Sequence, residues 1–470
     1  MKSHVKLTKN ILKTKNMDSG IGIGGLSTGQ DEYASDCFDL FKRIEIENSI
    51  EDVTKIITRP ISAANSRGPF IFEIPADFEK FTDAESFRLH GRMRIRKKEG
   101  GLLMDIDEDD SVSTVNNVFH SLWNKVDVKF NDRSINDPTN SWYAYKAYFE
   151  NHLSYSKGTK ANLLSYRGYY NDTCEKFNDV GSVSGGAPVE SLNDGFIKRK
   201  KLFAESKWVY FCINIHNDIT TLRKYIPTGV KLVFEFNRSD DSFCLLSHDA
   251  TKVFAIELDD MRMSSKRYKP AKTFRDFYAN QIKLKRTPTL AIDRSLIKDY
   301  VVNKGISDLS HYNLIRGTQL PDQIIIGIVD QDAYSGSIKK NPFNFKHYDI
   351  KEASLVVNGV NEPAELYRMD INSGDKVDMF ASFLDNTGVH TDDREFGISL
   401  EDYYGGSFLL AWDRTPDNCN RFHRHNMDAG TIDINIKTKT PLKDTVTVIV
   451  YATYSSDIVI EDERVFVQNF

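Results

Sequence analysis

The feature that most constrains this chain is a period of two. Phe70, Phe72 and Ile74 alternate with other residues in Phe-Ile-Phe-Glu-Ile. Met93 and Ile95 alternate with Arg92, Arg94 and Arg96, and Val126, Val128 and Phe130 with Asp127 and Lys129. Leu232, Phe234 and Phe236 follow the same rule, as do Ile432, Ile434 and Ile436 against Asp433, Asn435 and Lys437. Val446, Val448 and Val450 repeat it before Tyr451. Successive side chains of an extended strand point to opposite faces, so the pattern predicts strands with one buried face. The 29 Phe and 21 Tyr suit such half-buried pleated surfaces. Strands spaced by turns, with few helices, predict sandwiches or barrels. A jelly roll is one solution, because two packed sheets share a core and limit edge exposure.

The chain has 470 residues, 40% of them hydrophobic and 27% charged, which are globular values and enough for two domains. A formal charge of −5 argues against a dedicated nucleic-acid binder. Cys37, Cys174, Cys212, Cys244 and Cys419 are far apart and form no Cys-x-x-Cys pair. No disulfide framework is expected, and a reducing compartment fits. The polar start lacks an apolar signal core, and no apolar run approaches the roughly 18 to 20 residues that span a bilayer. The expectation is a soluble protein made inside the cell.

Residues 1–16 carry Lys2, Lys6, Lys9, Lys13 and Lys15 and no acid, and Gly20 to Gly25 is glycine-rich. This stretch is expected to be a mobile arm, either a solvated tail or a contact to nucleic acid or an anionic surface. Spacings of three and four at Trp142, Tyr145, Tyr148, Phe149 and His152 predict a helix over 140–153, inserted in a loop between strands. The Gly-, Ser- and Asp-rich stretch 171–201 is expected to be a long exposed loop. Asn358-Gly359 between apolar residues predicts a hairpin, and 378–384 a short helix. Two β-rich blocks of about 200 residues result, with an expected linker from Ser264 to Lys272. No clear repeat relates them.

Candidate chemistry is sparse. Gly20 to Gly25 lacks the strand before and helix after that a dinucleotide loop needs. Gly25-Leu-Ser27-Thr-Gly29 matches a nucleophile elbow by letter, but sits in the polar arm and suits a flexible linker. Cys419, His423 and His425 are metal-capable, yet no second cluster completes a site, and a surface loop is the better reading. Asp105, Asp107, Asp109 and Asp110 resemble a calcium loop without its glycine and its closing glutamate, so a solvated acidic turn is expected. Neighbouring carboxylates such as Asp392 and Asp393 carry no weight alone. Lys198-Arg-Lys-Lys201 is either a nuclear import signal or an ordinary basic loop. Asn171-Asp-Thr and Asn237-Arg-Ser match the glycosylation pattern by chance in a chain with no signal peptide. No catalytic, cofactor-binding or metal-binding residue is assigned.

One stretch carries a family resemblance. Leu320-Pro-Asp-Gln-Ile-Ile-Ile-Gly-Ile-Val-Asp330, continuing through Asn341-Pro-Phe-Asn-Phe-Lys-His-Tyr348 to Ile350, resembles the major capsid proteins of Polinton (Maverick) elements and adintoviruses. Asn386-Thr-Gly-Val-His390, Gly397 to Gly406 and Leu409-Leu-Ala-Trp-Asp413 follow in matching order, so the likeness spans most of 315–420. Asn117 to Phe130 and Tyr143 to Glu150 are similar in a looser way. The resemblance implies an all-β fold of two tandem jelly-roll sandwiches, with short helical insertions in loops. The corresponding division is an arm over 1–55, a first roll over 56–265 and a second over 266–470. It also implies a structural, non-enzymatic role: homotrimers whose six rolls form pseudo-hexagonal capsomers tiling an icosahedral shell around DNA. Implied partners are the protein itself, neighbouring capsomers and a penton protein, with possible DNA contact through the arm, and the implied location is the virion. The loops 96–115 and 171–201 are candidates for outer or trimer-facing insertions. The segment 341–348 is either an interface loop or a packed corner of the second roll. The rival readings are a carbohydrate-binding or carbohydrate-cleaving sandwich, and a domesticated host protein that keeps the fold without building shells.

Overall fold

The alternation becomes sheets in the computed structural model of the chain. It describes residues 46–470 except 62–67, 108–109, 136–141, 185–186, 250, 371–375, 390–395, 416–428, 462–463 and 469–470. The arm, the Gly20 to Gly29 motifs, Asp109, Asp392, Asp393, Cys419, His423 and His425 therefore lie outside the described residues. Residues 1–48 and 49–470 form separate units, and the fold concerns the second.

The first block supplies β1 (Ile50–Thr58), β2 (Phe70–Ile74), β3 (Phe81–Glu99), β4 (Trp123–Phe130), β5 (Arg133–Ser134), β6 (Val209–Asn214), β7 (Leu232–Arg238) and β8 (Val253–Pro270). They form two sheets, ordered β1-β8-β3-β6 and β2-β7-β4-β5. The second block supplies β9 (Thr289–Val302), β10 (His311–Gln319), β11 (Gln323–Asp330), β12 (Ile350–Val357), β13 (Val360–Arg368), β14 (Leu409–Asp413), β15 (Ala429–Thr438) and β16 (Val446–Glu461). Its sheets run β9-β16-β11-β14 and β10-β15-β12-β13. Counted within each block, both orders are 1-8-3-6 and 2-7-4-5. First and last strands pair, and every connection crosses between sheets except that from the fourth strand to the fifth, a hairpin within one sheet. That is the eight-stranded jelly roll, and the chain contains it twice.

Each roll keeps its core between its sheets. Phe72, Phe234, Phe236, Val128 and Phe130 fill the first, and Ile432, Ile434, Ile436, Leu355 and Val448 the second. The predicted alternation holds, with one shift of parity. Along β3 the buried set passes from Thr82 and Ala84 to Phe87, Leu89, Met93 and Ile95. An irregularity opposite Ser264 to Lys266 of β8, whose partners are Arg88 and Asp83, absorbs three extra residues of β3. Without it, Arg88, Arg92 and Arg94 would point into the core. The β12–β13 hairpin turns on Asn358 and Gly359, whose φ values of 51° and 85° give the left-handed turn that the Asn-Gly pair predicts.

Four helices matter to the rest of the structure. α1 (Tyr143–Ser154) and α2 (Asp194–Phe203) lie in the long connection between β5 and β6, α3 (Lys272–Lys283) joins the rolls, and α4 (Val377–Asn386) covers the second roll. α1 and α4 fall where the sequence predicts them. Two expectations fail.

The first is the exposed loop 171–201. It contains most of α2, whose start is capped by Asn193 accepting from the amides of Gly195 and Phe196. Phe177, Val180, Phe196, Arg199 and Phe203 are buried there. Polar composition misleads because Arg199 is inside, ion-paired to an equally buried Asp172. The basic run is thus broken, with Lys198 and Lys201 exposed and Arg199 in the core.

The second is the linker from Ser264 to Lys272. Its residues to Pro270 continue β8 against β1, from Ser264 opposite Ile57 to Pro270 opposite Ile50. The charged residues belong on a strand because their partners are near: Arg267 reaches Asp77 at 3.3 Å and Lys269 reaches Glu79 at 3.0 Å. The connection between rolls is α3 instead.

Candidate functional site

The densest polar chemistry of the described residues lies in the joint between the rolls, on α1. This helix is apolar almost all round and accordingly buried, from Tyr143 to Phe149. Its aromatic rings receive the second roll. Tyr148 stacks on Phe343 with centroids 4.3 Å apart, Phe149 meets Phe345 at 5.3 Å, and Trp142 meets Tyr334 at 4.5 Å. Phe345 in turn covers Gly327 of β11, where a Cβ would come within 2.5 Å of the ring. The segment 341–348 is thus a packed corner of the joint, which decides between its two readings.

Charges are sealed among these rings. Lys146 on α1 donates to Asp218 and, at 2.5 Å, to Ser295 of β9. Ser295 donates its hydroxyl to Asp218 at 2.8 Å. Glu150, one turn along, accepts from His216 at 2.6 Å and from Tyr451 of β16 at 3.3 Å. Burial alone would raise the Glu150 carboxyl, but Lys146, His216 and Tyr451 outweigh it and hold it at about 2. Burial likewise opposes the Lys146 charge, and Asp218 and Glu150 reverse the effect and raise its pKa.

Two further bridges cross the joint. Asp172 accepts from buried Arg199 and, at 2.9 Å, from Asn341 of the second roll. Lys160 donates to the carbonyls of His152 and Phe396, at 2.6 and 2.5 Å. His120 and His152 are buried, and desolvation pushes both well below the usual imidazole range, with His216 adding to the effect on His120 and Lys160 to that on His152.

A serine, a lysine, carboxylates and a histidine in one cluster invite a catalytic reading, and the geometry opposes it. Ser295, Lys146 and Asp218 are buried. The lysine is held charged and is no base. A cavity of about 50 Å³, lined by Tyr148, His152, Asp172, Phe177 and Ile398, has room for a few waters rather than a substrate. Among the described residues no group of three or more His, Cys, Asp or Glu is placed to hold a metal. Of the acids proposed for a calcium loop, Asp105 pairs with Arg96, Asp107 with Lys97 and Asp110 with Lys252.

The other feature with functional content is exposed apolar surface. The strand Leu102–Met104 extends β3 as a hairpin and leaves Leu102, Leu103 and Met104 exposed beside exposed Val253. This lies inside the candidate segment 96–115. Nearby, the guanidiniums of Arg92 and Arg94 sit 4.6 and 4.4 Å from the Trp208 ring centre. Sequence reasoning missed Lys146, Asp218 and Ser295. The available signal was a lysine on the apolar face of an aromatic helix, which demands a buried partner.

The fold defines a class of protein. No family model matches the chain. A chain in the structure of the Sputnik virophage superposes with a TM-score of 0.59 at 10% identity, over 96% of this chain and 94% of that one. The Faustovirus major capsid protein gives 0.53 at 8%, over 89% and 92%, and the mavirus major capsid protein 0.51 at 10%, over 96% of both. At these identities the likeness establishes the fold: the chain has the double jelly-roll architecture of viral major capsid proteins. In sequence, an uncharacterized protein of Caenorhabditis elegans is 22% identical over 341 residues, covering 70% of this chain and 75% of that protein.

Proposed function

We propose that this chain is the structural building block of a virus-like shell. The observation that carries the reading is architectural. Two complete jelly rolls stand in one chain, fastened by a buried joint, in an arrangement that runs nearly end to end with capsid proteins. The role is association rather than catalysis, in keeping with a reactive-looking cluster that is sealed from solvent.

The finer reading is a homotrimer, whose six rolls make a pseudo-hexagonal capsomer of an icosahedral shell. It rests on the resemblance of residues 315–420 to Polinton and adintovirus capsid proteins. In this reading a penton protein closes the vertices, the lysine-rich arm faces the interior DNA, and the protein resides in the virion. The division into rolls over 56–265 and 266–470 is part of the proposal; the strands that support it run over Ile50–Pro270 and from Thr289 onward. We assign the Leu102–Met104 hairpin with Val253 to contacts between copies, since an apolar strand edge needs a cover. Light scattering on purified protein tests this. Trimers that fall apart on Leu103→Asp support the proposal, and a monomer indifferent to that change refutes it.

A further inference from the structure

α3 is an unusual helix for a core connection, because none of its residues is buried. Its sequence is nevertheless amphipathic. Phe274, Phe277, Tyr278 and Ile282 recur at spacings of three and four, so they share one broad face. Phe274 and Tyr278 lean on Phe81, with centroids 5.9 and 5.3 Å away. The edges of the face stay open: Phe277 is 57% exposed, Ile282 44% and Leu284, just past the helix, 67%.

The remaining positions are strongly cationic. Residues 272–286 hold Lys272, Arg275, Lys283, Lys285 and Arg286 against the single acid Asp276. Among the described residues only Arg275 of these five has an ion pair, with Glu51 at 3.4 Å. The surroundings extend the surface. β8 ends where β1 begins, and the Asp77 carbonyl accepts from Gly229 while Thr82 bridges Ile226. This brings the β2–β3 turn, with Phe78 76% exposed, and the loop of Tyr225 to the same end of the first roll as α3.

From this juxtaposition we infer that the α3 end of the molecule docks on an anionic lipid surface. A helix with aromatic and aliphatic residues on one face, flanked by Lys272, Lys283, Lys285 and Arg286, which have no ion pair among the described residues, meets the needs of a bilayer interface, where rings enter the headgroup boundary and cations meet the lipid phosphates. The two alternatives each use half of it. A nucleic-acid backbone rewards the cations and leaves Phe277, Ile282 and Leu284 in water. A second copy offering this same end would bring like charges together. The inference does not need the chain to form shells.

Flotation of the full chain with vesicles tests it, using phosphatidylcholine alone and phosphatidylcholine with about one-third phosphatidylserine. The expected result is binding at least about tenfold stronger to the anionic vesicles, weakened by salt. Phe277→Ser with Ile282→Ser, and separately Lys283→Glu with Lys285→Glu, should each lower that binding about tenfold or more. Both pairs are exposed, so thermal melting and oligomer mass should stay unchanged. Equal binding to neutral vesicles, or capture of duplex DNA but not of vesicles, would overturn the inference. So would loss of self-association in the Phe277/Ile282 variant, which would make α3 a contact between copies.

Discussion

The two rolls share one strand order and differ in what their connections carry. In the first, the link from β5 to β6 spans Ser134 to Val209 and holds α1 and α2. In the second, burial runs more continuously along single strands, as in β16, which is buried from Val446 to Ala452. The first roll therefore supplies the inserted helix of the joint, and the second supplies corners, at Tyr334, Phe343 and Phe345, that receive it. Equal topology has been given unequal work. The insertion packs into the same continuous apolar cluster as the sheets, through Tyr145, Tyr148 and Phe149.

The joint is where that comparison can be broken most forcefully. Asp218→Ala leaves the Lys146 charge buried with its main partner gone and should cost about 3–5 kcal/mol. Phe343→Ala, which opens a void against Tyr148, should cost a similar 3–5 kcal/mol. In denaturant titration both should separate the rolls into two transitions, whereas Ile434→Ala inside the second core should lower that roll alone. A single cooperative transition in every variant would mean that the joint is no weaker a seam than the cores.

Acid should act on the same seam. His120 and His152 have folded pKa values far below the unfolded imidazole value of about 6.5, so only the unfolded chain takes up those protons just below that pH. Stability is full above about 6.5 and declines as pH falls below it. Glu150 adds a second loss: its contribution is present above the unfolded carboxyl value of about 4.3 and disappears as pH falls towards its folded value of about 2. Hydrogen-exchange protection, corrected for the intrinsic rate at each pH, should be lower at pH 5.5 than at 7.5 around α1 before it changes in the outer strands. Uniform exchange across both rolls would contradict this.

The smallest effect belongs to a turn of the second roll. Gly359→Ala forces a side chain into φ 85° and should cost about 1–2 kcal/mol by thermal melting, without altering the joint.

How much of this was legible in the sequence follows from range. The strands and the Asn358-Gly359 turn were readable because alternation and turn chemistry are local. α1 was readable because its five aromatic and histidine positions repeat at helical spacing. α2 was not, since its buried face consists of Phe196, Phe203 and an arginine, and Arg199 counts as core only once Asp172 is known to meet it. The joint network was invisible for the same reason. Lys146 lies 72 positions from Asp218 and 149 from Ser295, and only the crossing of strands between sheets brings the three together. The missed end of β8 shows the converse error: charged residues that looked like a linker belong to a strand whose partners neutralise them.

We propose that two fastened rolls in one chain form a unit for building shells. Cryo-electron microscopy of the purified chain over a range of concentrations tests it most directly. The prediction is a threefold particle with six roll-shaped densities, tiling into sheets or closed shells as concentration rises. A particle that stays a single chain at every concentration would contradict it.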